Sequence, residues 1–218
     1  MKICLVTVNL GNFDVVDKPV TQSIPFKYYV FSDDNLPPRI NSLTSRLQSK
    51  IPKFFAWQLL PNYDYYLWID GNITLTHRDA VKYFYEQCKD YDIVAFKHFR
   101  RPDIRQEYRY TRKGIKQTRL YLYNRYKNEI LKGIKDEILS DKSYIDDYLL
   151  MGGVFMYKNT LKVQEMFKNW WYFNSRYIYQ DQLSFPYVVK KAGLKINIIK
   201  DNMMKSPYLS FKHHRRKK

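Results

Sequence analysis

The stretch "YDYYLWIDGNITL" (residues 63–75) decides the fold. Its aromatic and apolar residues over 65–69 read as a strand buried inside a sheet. The run stops at Asp70, turns at Gly71, presents Asn72 and becomes apolar again at Ile73. Asp-Gly and Gly-Asn are favoured turns between paired strands, so a plain hairpin is one reading. The other is that the chain carries a carboxylate out of the core at a strand end, to hold something charged.

The flanking sequence repeats the theme. "KICLVTV" (2–8), "PFKYYVFSDD" (25–34), "DIVAFKH" (92–98), "LLMGGVFMYKN" (149–159) and "LKINIIK" (194–200) read as further strands. Between them, 45–61 has helical spacing, and Pro52 suits a first turn. Residues 77–90 place Ala80, Val81, Phe84, Tyr85 and Cys88 on one helical face. Segments 162–174 and 181–193 also read as helices, and residues 103–140 as a basic helical insertion. Strands that alternate with helices predict an α/β fold with a mostly parallel central sheet flanked by helices. No repeat or linker divides it, so we expect one domain over 1–211 and a basic tail over 212–218.

With 218 residues, 45 % of them hydrophobic, the chain can bury a sizeable core. Its formal net charge of +17 suits a polyanion or a phosphate-bearing ligand. The excess collects in 100–135 and in "KHHRRKK" (212–218). Its 21 tyrosines suit sugar-binding clefts and interfaces, although biased codon usage gives the same enrichment. Cys4 and Cys88 sit in apolar patterns without metal or redox spacing, so both are expected reduced and buried. No run has transmembrane length, and "MKICLVTV" is too short for a secretion signal, which predicts a cytoplasmic protein.

In open α/β sheets ligands bind beyond the carboxyl ends of the strands. Polar residues gather there: Thr7, Asn9, Gly11 and Asn12; Ser32, Asp33 and Asp34; Asp70 and Asn72; Lys97, His98, Arg100 and Arg101. There is no dinucleotide fingerprint, phosphate loop or zinc-type histidine spacing. What remains is a hard divalent cation, Mn²⁺ or Mg²⁺, held by oxygen ligands and a diphosphate. In an Asp-x-Asp motif both ends are carboxylates; here Asn72 keeps an oxygen and loses the charge.

The segment 50–75, from "KIPKFFAWQLLP" to "YDYYLWIDGNITL", resembles the acidic metal motif of GT-A glycosyltransferases and its preceding helix. The chain is most similar to the TOD/mucilage-type glycosyltransferase family and to small viral and bacterial GT-A domains. "FKHFRRPDIRQE" (96–107), "MGGVFMYKN" (151–159) and "YIYQDQLSFPYVV" (177–189) resemble three further segments of that family, in order. A very basic 105–135 region and a shortened C-terminus depart from it.

The resemblance implies a single GT-A, Rossmann-like domain that moves a sugar from a nucleoside diphosphate to an acceptor hydroxyl. A UDP-sugar is favoured as donor, a glycan or other hydroxyl compound as acceptor. It places Thr7, Asn9 and Asp33 at the nucleoside, and Arg46, Lys50 and Lys53 near the diphosphate. Asp70 and Asn72 fall at the metal, and Gly152 and Gly153 against the sugar. Asp181 is the first choice for the base that gives inversion, with Asp146, Asp147 and Glu107 behind it. Asp181 as a mere helix cap is the competing reading. Arg101 and Glu107 face the acceptor, brace the site or form only a surface ion pair, and Trp170 and Trp171 either stack on a sugar or belong to the core. His213 or His214 closing the metal site is a sharper option for the tail, which otherwise favours an anionic surface.

The rival class is a nucleic-acid or anionic-membrane binding module, motivated by the basic 100–135 stretch and the tail. It leaves the carboxylates at 33, 70 and 181 unexplained, and nucleic acid is disfavoured for lack of a known binding motif. Peripheral membrane contact is compatible with either class.

Overall fold

The computed structural model describes residues 1–37 and 42–212. Strands β1 (Ile3–Asn9), β2 (Lys27–Ser32), β3 (Tyr65–Ile69), β5 (Ile93–Lys97), β6 (Leu150–Lys158) and β7 (Ile196–Ile199) form one sheet in the order β2-β1-β3-β6-β5-β7. Pairs β1–β2, β1–β3 and β5–β7 are parallel, and β6 runs antiparallel between β3 and β5. The predicted mostly parallel sheet is therefore present, with one reversed strand. Because β6 is reversed, it presents its beginning, Gly152-Gly153, where β1 and β3 end.

The turn at Asp70–Asn72 is not a hairpin. Strand β4 (Ile73–Leu75) leaves the main sheet and pairs with β8 (Leu209–Phe211), which the sequence reading did not foresee. The Asp70 carbonyl accepts from the Ile73 amide at 2.9 Å and closes the turn.

Side chains alternate along the strands, so the sheet buries two faces. Val6, Val8, Tyr66, Trp68, Phe155 and Tyr157 face one layer of helices. These are α1 (Ser45–Gln48), α2 (Lys50–Leu59), α7 (Leu161–Arg176) and α8 (Phe185–Lys191), together with the insertion. Ile3, Leu5, Leu67, Ile69, Val154 and Met156 face α3 (Ala80–Cys88), whose Ala80, Val81, Phe84 and Cys88 are buried. Cys4 and Cys88 lie in different layers, free and buried. The insertion consists of α4 (Ile104–Lys116), α5 (Leu120–Tyr126) and α6 (Leu131–Ile134), which runs into a π turn at Lys135–Leu139.

Helix starts follow local chemistry. Thr44, Asp103 and Thr160 cap α1, α4 and α7 by accepting backbone N–H groups of Leu47, Gln106 and Val163. The helix expected from Asp181 starts later. Asp181–Leu183 is a 3₁₀ turn, and α8 begins at Phe185 with Pro186 in its first turn. Trp170 is fully buried and stacks on Phe185 with ring centroids 3.9 Å apart, so it belongs to the core. Trp171 packs edge-on against Phe55.

Candidate active site

A cleft of 1060 Å³ opens where β1 and β3 end and β6 begins. Helix α2 puts Lys50 and Lys53 three residues apart, one turn of helix, so both ammoniums reach its floor. The sheet brings Asp70 from the end of β3, and the 3₁₀ turn brings Asp181 from the other half of the chain.

These four side chains form one ionic cluster. Lys50 donates to Oδ1 of Asp181 and Lys53 to its Oδ2. Lys53 also donates to Asp70 Oδ1 at 3.3 Å. The Lys53 side chain is 1 % exposed and lies over the rings of Trp68 and Phe155, 5.4 and 5.9 Å from their centroids. Asp70 is 44 % exposed and accepts a further bond from Trp68 Nε1 at 2.9 Å.

Burial by itself would raise the Asp181 carboxyl, but the two ammoniums hold it below the usual carboxylate range. Burial would likewise lower Lys53, yet Asp181 and Asp70 together raise it. Among the described residues Lys50 has only Asp181 as a hydrogen-bonded partner, so burial wins, aided by the charge of Lys53, and lowers it to about 8.

Gly152 and Gly153 let the β6 backbone pass between the two carboxylates. A Cβ on Gly152 would stand 2.9 Å from both Cβ and Oδ2 of Asp181, closer than side chains pack. A Cβ on Gly153 would stand 3.4 Å from Asp70 Oδ2. The Gly153 carbonyl accepts from the Asp70 amide at 2.8 Å, which fixes that carboxylate at the strand end.

Asn9, Arg46, Lys50, Lys53, Asp70, Asn72, Gly152, Gly153 and Asp181, all singled out from sequence, line this cleft. Thr7 and Asp33 do not. Thr7 is fully buried within β1, and its hydroxyl has no hydrogen-bond partner among the described residues. Asp33 is exposed and accepts from the Gly11 amide at 2.7 Å, where Gly11 turns with φ 62°. Asn9 holds the same loop, exchanging bonds of 3.0 and 3.1 Å with the backbone of Asp14. Arg46 donates to the Tyr179 hydroxyl at 3.2 Å.

The helix-cap reading of Asp181 fails, because both of its oxygens take ammonium groups and neither caps a helix. The alternative bases lie elsewhere. Asp146 accepts the Ile104 and Arg105 amides at the start of α4, each at 2.9 Å, and Asp147 pairs with Lys190 at 2.5 Å. Glu107 is 1 % exposed and bridges Arg101 and Gln180, while Thr111 donates to Gln180 at 3.0 Å. Arg101 and Glu107 thus form a buried link to Gln180, the residue before Asp181, and not a surface ion pair. His213 and His214, with the rest of 213–218, lie outside the described residues.

Trp68 was missed as a site residue. Its signal was the strand period of two, which puts residues 68 and 70 on one face. Tyr179 and Arg125, which meet through a 2.5 Å bond from the Tyr179 hydroxyl to the Arg125 carbonyl, had no local signal.

Among the described residues no three His, Cys, Asp or Glu side chains gather as a metal cage. A Mg²⁺- or Mn²⁺-type ion asks less of a protein that also binds phosphate, since one or two oxygen ligands suffice beside phosphate and water. Asp70 and Asn72 fit that demand. Asp70 Oδ2 accepts no bond among the described residues, and Asn72 spends its amide NH₂ on the Lys212 carbonyl at 3.1 Å, which leaves its oxygen.

Solved structures of similar outline include a glycosyltransferase involved in the glycosylation of the major capsid of PBCV-1. It shares 8 % identity over 91 % of this chain and 82 % of its own, with a TM-score of 0.46. A197 from STIV shares 12 % over 92 % and 82 %, with a TM-score of 0.42. Mouse xyloside xylosyltransferase 1 shares 10 % over 91 % and 85 %, with a TM-score of 0.47. No curated protein matches the chain in sequence. The family model of the TOD1/MUCI70 glycosyltransferase-like domain matches residues 40–213, which hold Arg46, Lys50, Lys53, Asp70, both cleft glycines and Asp181. The chain belongs to the TOD1/MUCI70 glycosyltransferase-like family.

Proposed function

We propose that the protein transfers a sugar from a nucleoside diphosphate, with UDP the favoured carrier, to the hydroxyl of a glycan or similar acceptor. The observation that carries this is the pair of ammoniums at the floor of the cleft, one of them fully buried against the central strands β3 and β6. Buried cations are costly unless an anion meets them. A diphosphate can replace the carboxylate oxygens of Asp181 on Lys50 and Lys53, and charge-assisted bonds to phosphate are strong.

The chemistry then balances as follows. The acceptor oxygen forms a bond to the anomeric carbon as the bond from that carbon to the phosphate oxygen breaks. The electron pair of the broken bond goes to the diphosphate, where Lys50 and Lys53 stabilise it. The acceptor proton goes to a carboxylate, for which Asp181 is our choice, and attack from the far face inverts the centre. Free Asp181 is a poor base while two ammoniums hold it down. Once phosphate draws the lysines away, its proton affinity rises, so the donor binds before the base works. Asp70 and Asn72 would hold a divalent cation, which when bound supplies further positive charge to the leaving diphosphate. Peripheral contact with an anionic membrane belongs to the same reading.

The test is a thermal-shift titration with nucleoside diphosphates, with and without Mn²⁺, on the parent chain and on Asp70→Ala. A ligand at one hundred times its Kd adds about 2.7 kcal/mol of stability. We expect UDP to raise the melting point, Mn²⁺ to strengthen the effect, and Asp70→Ala to remove the Mn²⁺ increment. Asn72→Ala should be milder, because a neutral ligand holds the ion less strongly. No response to any nucleoside diphosphate would sink the donor assignment.

A further inference from the structure

We infer that the outer face of α4, with the tip of the α4–α5 turn, is a docking surface for an anionic lipid bilayer. The inference deepens the membrane part of the function proposed above by naming the surface, and it needs no sugar transfer to be tested.

Arg105, Arg109, Arg112 and Lys116 follow one another at spacings of four, three and four, so they form a single stripe on the solvent side of α4. All four are exposed, as are Lys113 beside them and Arg119 just beyond the helix. The opposite side, with Ile104, Glu107, Thr111 and Gly114, is buried. The only carboxylate in α4 is Glu107, which is taken up by Arg101 and Gln180. Among the described residues, no carboxylate pairs with any cation of the stripe. Like charges at these spacings weaken a helix, and a sheet of anionic headgroups reverses that penalty.

At Thr118, with φ 48°, the chain turns and leaves one apolar and one aromatic side chain largely exposed. Leu120 is 78 % exposed and Tyr121 61 % exposed, directly after Arg119. Cations flanking an exposed Leu-Tyr pair suit a membrane interface: the cations meet headgroups, Leu120 enters the acyl boundary, and Tyr121, whose hydroxyl accepts from Arg125, sits at headgroup level. A nucleic acid would use the cations but has no place for Leu120. Tyr121 also lines the active-site cleft, together with Asn124, Arg125 and Lys127. Docking by this face therefore brings the mouth of the cleft to the bilayer, where an acceptor carried on a lipid would stand.

The experiment is co-sedimentation of the full chain with vesicles of phosphatidylserine and phosphatidylcholine, against phosphatidylcholine alone, at about 0.1 M salt. The variants are Arg109→Gln/Arg112→Gln/Lys116→Gln, Leu120→Ser, and a chain lacking 213–218. Each cation near an anionic surface is worth roughly fivefold in partitioning, so the triple variant should bind on the order of 10²-fold more weakly. Leu120→Ser should lose roughly five- to tenfold and leave most of the salt dependence in place. All substituted side chains are exposed, so neither substituted chain should melt below the parent by more than a degree or so, and the triple variant should melt slightly higher as like charges leave α4. Vesicle binding that survives the triple variant and disappears with 213–218 would assign the contact to the tail and overturn the proposal. A triple variant that loses affinity for an oligonucleotide while keeping vesicle binding would overturn it in favour of nucleic acid.

Discussion

Asp181→Asn probes the ionic cluster directly. The substitution keeps the shape but removes the charge that balances two buried ammoniums. Asparagine can accept from one lysine, while its NH₂ must then face the other, donor against donor. Removing one partner of a buried ion pair costs about 3–5 kcal/mol. Lys53 keeps Asp70 at 3.3 Å and Lys50 is 16 % exposed, so the lower figure applies. At about 3 kcal/mol, a chain of this size should melt roughly 6–12 °C lower. The pH dependence supplies a second reading. The Lys50 ammonium is lowered by burial to about 8 in the folded chain, so the folded form sheds its proton before the unfolded one. Stability contributed through Lys50 therefore rises with pH above that value. Without Asp181 to hold the proton, the rise should start lower, and the deficit of the variant should shrink between about pH 7 and about pH 9. Scanning calorimetry on both chains across that range is the assay. A melting point within about 1 °C of the parent at neutral pH would refute the claim that Asp181 balances the lysines. Turnover adds an independent result: as the base, Asp181 should be worth about 10²–10⁴-fold in kcat.

Gly152→Ala drives a methyl group to 2.9 Å from Asp181 and should cost about 1–3 kcal/mol by overpacking, with weaker diphosphate binding; Gly153→Ala, whose nearest atoms are at 3.3 and 3.4 Å, should be milder in both melting and titration. His98 is held neutral by burial and then by Arg101 and Arg100, down to about 4, and its Nδ1 accepts the Arg100 and Arg101 amides at 3.1 and 3.0 Å. Its folded value lies below its unfolded one, so its contribution is complete above about pH 6.5 and is lost as pH falls toward 4, on the order of 3 kcal/mol. His98→Asn, with an acceptor oxygen in place of Nδ1, should flatten acid unfolding over that window, and an unchanged slope would rule His98 out as its source.

The main sheet was legible because each strand carries a long β-branched or aromatic run between polar breaks, as "KICLVTV" does. The reversal of β6 was not, since a strand buried on both faces has no pattern that marks its direction. Strand β8 is three residues long, too short for periodicity, and exists through its pairing with β4. Among site residues, Asp70 was legible from the greasy strand that ends on it, whereas Lys50 and Lys53 came only from the family resemblance, since two lysines on a helix read by themselves as solvated charges. Their burial was not legible, because a helix reports its own faces but not which loop will close over them. Thr7 and Asp33 fall outside the cleft for different reasons: Thr7 lies inside β1 with its side chain in the core, whereas Asp33, at a strand end, serves the Gly11 loop beside it. For Asp181, the sequence offered a base or a cap, and the structure shows a third use, as counter-ion to residues 131 and 128 positions earlier.

That separation has a consequence for synthesis. A ribosome delivers β1, α2 and β3 early, and those pieces can begin to pack as they emerge. The site for the Lys53 ammonium, however, is shut by a carboxylate that has not yet been made. Until residue 181 is translated, burying the lysine sets it against Asp70 alone, across 3.3 Å, at a half-exposed edge. The early half of the sheet is thus kept from closing over its cations until the late half arrives. Closing the cleft over Lys53 with both of its counter-ions therefore waits on residue 181, and a nascent chain shorter than that carries no complete site.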